Sequence, residues 1–209
     1  MRKSSLRAIL AAMKRERAEQ YFDAQAPVYD FSRRLFLIGR KRAVSALGIR
    51  PGDRVADWGC GTGLNFPLIE KRRPGEIIGI DASEGMLRSA RARLPGARLV
   101  KADMTTFLLA PPVDRALCSY ALSLVDDWEE TIRNMKRGLA PGGRLVLHDF
   151  HPLAGAMQVF DGFFRWWIGI HGAVPTRPLH EFLSGEFERV EQVVPGMGFY
   201  AVHVADGPK

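Results

Sequence analysis

Short apolar runs alternate with amphipathic stretches along most of this chain, at intervals that suit strands followed by helices. Arg54 to Trp58 and Glu76-Ile-Ile-Gly-Ile-Asp81 are apolar enough to be strands buried on both sides. Ala97 to Asp103, Arg115 to Tyr120 and Arg144 to Phe150 repeat the pattern. Between them the spacing predicts helices. Leu64 to Lys71 opens one. Ser83 stands as the N-cap of a second, which carries Met86 and Leu87 and runs to Leu94 before Pro95-Gly96. Asp127 to Leu139 forms a third, ended by Ala140-Pro141-Gly142-Gly143. The last part of the chain differs. Phe160 to His171 is dense in aromatic residues, Pro178 to Phe182 is a short helix, and Glu188 to Val194 and Tyr200 to Ala205 are strands joined near Pro195-Gly196-Met197-Gly198. Alternating strands and helices predict an α/β fold, a parallel sheet covered by helices on both faces. No internal repeat or low-complexity linker interrupts it.

The N-terminal segment carries a different periodicity. Leu6, Ile9, Leu10 and Met13 fall on one side of a helical projection, with Lys3, Arg7 and Lys14 along a border. Residues 1–20 are therefore a basic amphipathic helix, set off from a domain spanning residues 21–209. Charge gives that boundary weight. The chain has a formal net charge of +7, and residues 1–42 account for all of it, with eleven Lys and Arg against four acids; the remainder balances. A neutral core behind a basic segment suggests an anionic partner, and both nucleic acid and lipid headgroups qualify. The helix either lies in a bilayer interface, cations toward anionic lipid, or packs on its own core with a solvated basic face.

Bulk composition narrows the classes. At 209 residues with 46% apolar and 25% charged residues, the chain fits one soluble globular domain. No apolar stretch is long enough to predict a membrane span. Two cysteines, Cys60 and Cys118, in core contexts argue against a disulfide framework or a metal site and for a reducing cytoplasm.

The chemistry is concentrated in Val55-Ala56-Asp57-Trp58-Gly59-Cys60-Gly61-Thr62-Gly63, with Asp81 at the end of the next apolar run. Glycines in a strand-to-helix turn let backbone pass close to a ligand. A carboxylate about 20 residues later suits the hydroxyls of a ribose. A dinucleotide fingerprint needs a third glycine at 64 or 66, where Leu64 and Phe66 stand, and no Gly-Lys-Ser/Thr ending marks a P-loop.

Asp57-x-Gly59-x-Gly61-x-Gly63 resembles the first motif of class I S-adenosylmethionine-dependent methyltransferases. The resemblance implies a Rossmann-like, seven-stranded, mostly parallel sheet whose last strand is antiparallel, with S-adenosylmethionine as cofactor. It implies that Asp57, Gly59, Cys60, Gly61 and Gly63 form the turn beneath the cofactor's amino-acid part and that Asp81 takes the ribose hydroxyls. Ala82 and Met86 follow Asp81, Asp103 and Met104 contact the adenine, and Ser119 and Tyr120 border the methyl donor. Tyr21 and Tyr29 are further cofactor candidates.

The acceptor is read from other segments. An Asn/Asp-Pro-Pro-aromatic motif is missing after the fourth strand, where Ser119-Tyr120-Ala121-Leu122 stands, so nucleic acid is disfavoured. No cluster of Asp and Asn ligands accompanies Asp149, so no metal is expected. Tyr21-Phe22-Asp23, Ala26-Pro27-Val28-Tyr29-Asp30, Leu35 to Arg40, Ser119 to Ser123, Asp127-Trp128, Asp149-Phe150 and Phe163 to Trp167 resemble the methyltransferase of betaine-lipid synthesis, which trimethylates the amine of diacylglyceryl-homoserine. Part of that pattern is shared with quinone and phosphatidylethanolamine methyltransferases. A quaternary ammonium is best held by aromatic faces; Tyr21, Tyr29, Tyr120, Trp128, Trp166 and Trp167 are candidates, as is ordinary core packing. Tyr29, Tyr120, Asp149 and His151 are the catalytic candidates, and His148, mid-strand, is a core or surface histidine. Trp166 and Trp167, beside Arg165, suit either a membrane interface or the core. The expectation is a cytoplasmic N-methyltransferase, peripheral on the inner face of the cell membrane, acting on a lipid headgroup amine. Methylation of a quinone precursor or soluble metabolite is an alternative, and a non-catalytic cofactor-binding regulator another.

Overall fold

A computed structural model describes residues 38–170, 173–196 and 198–209. The helix expected over residues 1–20, its proposed contact with a membrane, and the candidates Tyr21 and Tyr29 lie outside the described residues.

The five apolar runs form parallel strands: β1 (Arg54–Trp58), β2 (Glu76–Asp81), β3 (Arg98–Lys101), β4 (Val113–Ser119) and β5 (Leu139–His151). With β6 (Phe187–Val193) and β7 (Phe199–Pro208) they make a seven-stranded sheet in the order β3-β2-β1-β4-β5-β7-β6. The final strand, β7, runs antiparallel to both neighbours, as expected. The fold is Rossmann-like, and the strand order reverses between β1 and β4, where ligands of such sheets collect at the carboxyl ends.

Helices cover both faces. On one side α1 (Arg40–Ala46), α2 (Phe66–Glu70) and α3 (Glu84–Arg93) bury Val44, Phe66, Ile69 and Leu87 against Val55, Leu117 and Val146. On the other, α4 (Trp128–Arg137) and α6 (Leu179–Glu186) bury Ile132, Met135 and Leu183 against Trp58, Ile78, Ile80 and Leu145. Successive side chains of a strand point to opposite faces, so a strand covered on both sides must be apolar throughout. Each such large side chain, fully buried, contributes roughly 1.5–3 kcal/mol of transfer free energy. A smaller cluster joins α5 (Asp161–Gly169) to the carboxyl end of β5 through Phe164, Ile168, Phe150 and Phe199.

Several boundaries differ from those expected. The helix before β5 ends at Arg137, because Gly138 closes it with N–H bonds to Asn134 and Met135 carbonyls at 3.3 and 3.1 Å. Pro141-Gly142-Gly143 does not stop that helix. Leu139 pairs with Val113 and Arg144 with Arg115, so residues 140–143 bulge within β5 opposite Asp114, helped by Gly142 at φ 73°. The fourth strand starts earlier, at Val113, and stops at Ser119, because Tyr120 turns into the left-handed region at φ 56°. The helix expected from Leu64 begins at Phe66, with Pro67 in its first turn where a missing N–H costs nothing. The helix expected over Pro178 to Phe182 extends to Glu186.

Candidate active site

The glycine turn sits where β1 ends. Gly59 and Cys60 N–H groups both donate to the Ile80 carbonyl, at 2.8 and 3.0 Å, tying the turn to β2. Gly59, Gly61 and Gly63 have φ of 68°, 53° and 73°, a region side chains avoid. Space separates their roles. A Cβ on Gly59 would lie 2.3 Å from the Ala121 Cβ, and one on Gly63 would lie 2.7 Å from the Phe66 ring. One on Gly61 would meet nothing within 4 Å. Packing demands the outer glycines, and the middle one faces open space.

Asp81 is set by the same turn. Its Oδ2 accepts from Gly61 N–H at 2.8 Å and its Oδ1 from Ser83 N–H at 2.9 Å. A carboxylate oxygen can accept more than one hydrogen bond, which is the chemistry that paired ribose hydroxyls ask for. Ser83 also caps α3, accepting from Met86 N–H at 3.1 Å, which fixes the loop carrying Asp81 and Ala82 and leaves Met86 buried.

Asp57 is fully buried and accepts from Asn65 Nδ2 at 3.1 Å. Its other oxygen, Oδ1, has no hydrogen-bond partner among the described residues. Burial pushes its carboxyl up to about 7, opposed by the Asn65 bond and reinforced by the Asp81 charge. A buried carboxylate oxygen without a partner is costly. An ammonium-bearing ligand over the open turn would relieve that cost, so these residues fit the amino-acid end of S-adenosylmethionine. Cys60 is buried and its thiol is pushed up, first by burial and then by Asp81 and Asp57. Its side chain packs in the core beneath the turn.

The third loop joins them. Asp103 accepts from Thr105 N–H at 2.8 Å, and the Met104 Cε lies 2.8 Å from where a Gly59 Cβ would stand. Buried Asn134 of α4 holds this loop by donating to the carbonyls of Met104 and Phe107 at 3.0 and 2.5 Å. Pattern reading passed over Asn134, because a polar residue on an amphipathic helix normally faces water.

At the ends of β4 and β5 the candidates are committed to the fold. The Tyr120 hydroxyl donates to the Ile38 carbonyl at 2.8 Å, and its ring packs on His148 and Phe150 with centroids 4.4 and 4.7 Å away. Burial, then the nearby Asp149 charge, holds the phenol far above its usual range. Asp149 accepts from Ser123 N–H at 2.7 Å and Phe150 N–H at 2.8 Å, and burial raises its carboxyl against those bonds. Both residues thus position the turn after β4. Ser119 Oγ pairs with His148 Nδ1 at 2.9 Å; His148 is fully buried and, chiefly through burial and then Arg40, pushed down to about 3. His151 at the end of β5 donates from Nδ1 to the Pro152 carbonyl at 2.9 Å, which leaves the lone pair of the neutral ring on Nε2.

Arg177 went unnoticed in the sequence. Its guanidinium donates to the carbonyls of Leu122, at 2.5 Å, and of Val125, and its plane lies 5.8 Å from the Trp128 ring centre. It clamps the short 3₁₀ turn Leu122–Leu124 that also carries the Asp149 contact. Nothing near position 177 signals this, since its partners are more than 50 residues away. Trp128 packs against Phe182 and Arg177, and Trp166, 61% exposed, packs against Phe163.

Comparison with known proteins agrees with this geometry. Residues 55–143 match the model of a methyltransferase domain family. A 2-phytyl-1,4-naphtoquinone methyltransferase of Synechococcus elongatus is 30% identical over 191 residues, covering 83% of this chain and 82% of its own length. A demethylmenaquinone methyltransferase of Listeria monocytogenes is 28% identical over 184 residues, 81% of this chain and 78% of its own. Among solved structures, the N-methyltransferase NodS of Bradyrhizobium japonicum, bound to S-adenosylhomocysteine, superposes with a TM-score of 0.65 at 20% identity, covering 81% of this chain and 87% of that one. That last likeness is one of fold. The two relatives bear quinone names, where the resemblance of individual segments pointed to betaine lipids; the segments shared by those branches could not separate them.

Proposed function

Since the chain belongs to the class I S-adenosylmethionine-dependent methyltransferases, we propose that its acceptor is a quinone precursor, an apolar ring, in preference to a lipid headgroup amine. The cofactor, when bound, supplies an electrophilic methyl group on a cationic sulfonium. Asp57, Gly59, Cys60, Gly61 and Gly63 would hold its amino-acid part, Asp81 with Ala82 and Met86 its ribose, and Asp103 and Met104 its adenine.

The carrying observation is how deeply the ionisable groups at the β4 and β5 ends are buried among the described residues: Tyr120, Asp149 and His148 are 6%, 5% and 0% exposed. The Tyr120 phenol and the Asp149 carboxylate are hydrogen-bonded within the fold, and His148 is buried and neutral. Methylating an amine builds a cation, which a free carboxylate would stabilise. A neutral ring asks instead for flat, apolar surfaces, which Tyr120 and Phe150 supply. A reduced quinone ring is nucleophilic at carbon once its hydroxyl loses a proton. The His151 Nε2, not used in the Pro152 bond, holds that proton. The ring C–H proton is then lost to water as aromaticity returns. The two quinone-methylating relatives support the same reading.

The test is incubation of the purified protein with methyl-labelled cofactor and either a demethylated naphthoquinol, kept reduced, or vesicles containing phosphatidylethanolamine or diacylglyceryl-homoserine, followed by mass analysis. Label in the naphthoquinol ring is expected, and none when the ring is oxidised. Label confined to a lipid amine, in one to three methyl increments, would overturn the proposal.

A further inference from the structure

Helix α5 divides into two faces of unequal logic. Phe164 and Ile168 are buried against Phe150, Leu153 and Phe199. On the other side Phe163, Trp166 and Ile170 are 66%, 61% and 61% exposed, and Val159 and Phe160 on the preceding turn are 79% and 55% exposed. Positions 159, 163, 166 and 170 recur at helical spacing, so these side chains form one continuous stripe. Scattered exposed apolar residues need no explanation, but a contiguous stripe with three aromatic rings does.

We propose that this stripe inserts into the interface of a lipid bilayer carrying anionic headgroups, so that the enzyme takes its acceptor from the membrane. This rests on the reading of the acceptor as an apolar ring.

Charge points to that occupant. Between Phe150 and Thr176 the sequence has one acid, Asp161. It is turned inward, accepting from Leu153 N–H at 2.7 Å and lying 3.9 Å from Arg165, so the stripe presents no exposed anion to repel a negative surface. Arg165 stands half-exposed beside Trp166, the pairing of cation and indole that suits the headgroup level. The charge excess of the chain lies in residues 1–42, and the described end of that segment reaches the same end of the sheet. Gly39 packs against Tyr200 and His148, next to Phe150, and Lys41 and Arg42 are exposed one turn on. Cations near the stripe would draw it to anionic lipid.

Size argues against a second protein. Three aromatic residues of this exposure present roughly 300–450 Å², and the two aliphatic ones bring the stripe to the order of 600 Å². A stable interface buries about 800 Å² on each partner, with a hydrogen bond for every 100–200 Å². The stripe offers one indole N–H. Insertion into an acyl boundary needs no such partners.

Placement gives the stripe a use. Helix α5 follows β5 at its carboxyl end, the same end of the sheet as the glycine turn after β1 and Ser119 at the end of β4. Docking by α5 faces that end toward the bilayer.

The test is flotation of the full chain with vesicles of phosphatidylcholine alone or with phosphatidylglycerol, for the unaltered protein and for the double variant Phe163→Ser/Trp166→Ser. The unaltered chain should float with the anionic vesicles, and the variant should lose about tenfold or more of that binding. Cofactor affinity by calorimetry, unchanged in the variant, would show the fold intact. No flotation of the unaltered chain, or equal flotation of both, overturns the proposal; so does a dimer in solution that the substitutions dissociate, because the stripe then belongs to a second copy. Turnover of a short-chain, water-soluble naphthoquinol separates this proposal from the acceptor reading. If vesicle binding fails while that quinol is methylated, only the docking is wrong. If the protein binds vesicles and methylates no quinol, only the acceptor reading is wrong.

Discussion

The two halves of the sheet's carboxyl end are built on opposite plans. Around β1 and β2, backbone N–H groups, glycines and acids are arranged about open space: Gly61 has no neighbour for a side chain, and Asp57 keeps a buried oxygen without a partner among the described residues. Around β4 and β5 the larger polar groups bond within the fold, Tyr120 to Ile38, Asp149 to the Ser123 turn and Arg177 to three carbonyls of the same turn, and the groups left without a partner among the described residues, His148 Nε2 and Ser123 Oγ, are buried. The first half waits for polar atoms and so binds one cofactor. The second holds a shape, and on the proposed reading apolar shape rather than charge selects what enters.

The largest effect should come from Gly59→Ala. An added Cβ would press on Ala121 in a left-handed conformation, and about 3 kcal/mol or more of stability should be lost, read as a shift in denaturant midpoint. Gly61→Ala sharpens the comparison. It meets no neighbour, so its stability cost should stay near 1–2 kcal/mol, while cofactor binding falls severely. Unchanged binding in Gly61→Ala would mean that the open space belongs to no ligand.

Next in size is Asp81→Ala. Losing charge-assisted hydrogen bonds to a ribose should weaken cofactor binding by roughly 2–3 kcal/mol in a calorimetric titration. Part of that loss would come from the glycine turn, since Asp81 also holds Gly61 N–H. An unchanged affinity would move the ribose elsewhere.

The smallest effect tests the other half. Tyr120→Phe removes one hydrogen bond, to Ile38, and should cost about 1 kcal/mol of stability while leaving kcat within about threefold. A drop of about a hundredfold in kcat would restore the phenol as a proton carrier and break the contrast between the halves.

The same contrast governs what could be read from residues alone. β1 and β2 begin and end where their apolar runs do, and Ser83 caps its helix as its residue type predicts. These are local rules, in which a residue's neighbours in sequence are its neighbours in space. Tyr120, Asp149 and Arg177 obey no such rule. Their partners lie 82, 26 and 55 residues away, so a tyrosine tied to a carbonyl and one poised for chemistry look identical in the sequence. Pro141-Gly142-Gly143 misled for a related reason. The triplet signals a break in regular structure, and the break it makes is a bulge inside β5, which only the pairing of Leu139 and Arg144 with β4 reveals.

The reversal of β7 has a practical side. Because this strand runs against β5, its end at Pro208 lies beside Phe187 at the amino-terminal edge of the sheet, and Lys209 is fastened there by its N–H to the Glu186 carbonyl at 3.1 Å and its Nζ to the Ser184 carbonyl at 2.9 Å. Anything grafted after Lys209, such as an affinity handle or an attachment to a sensor chip, would leave the molecule on the side away from the glycine turn. An enzyme anchored by that residue would present its cofactor cleft and its aromatic helix outward to whatever flows past.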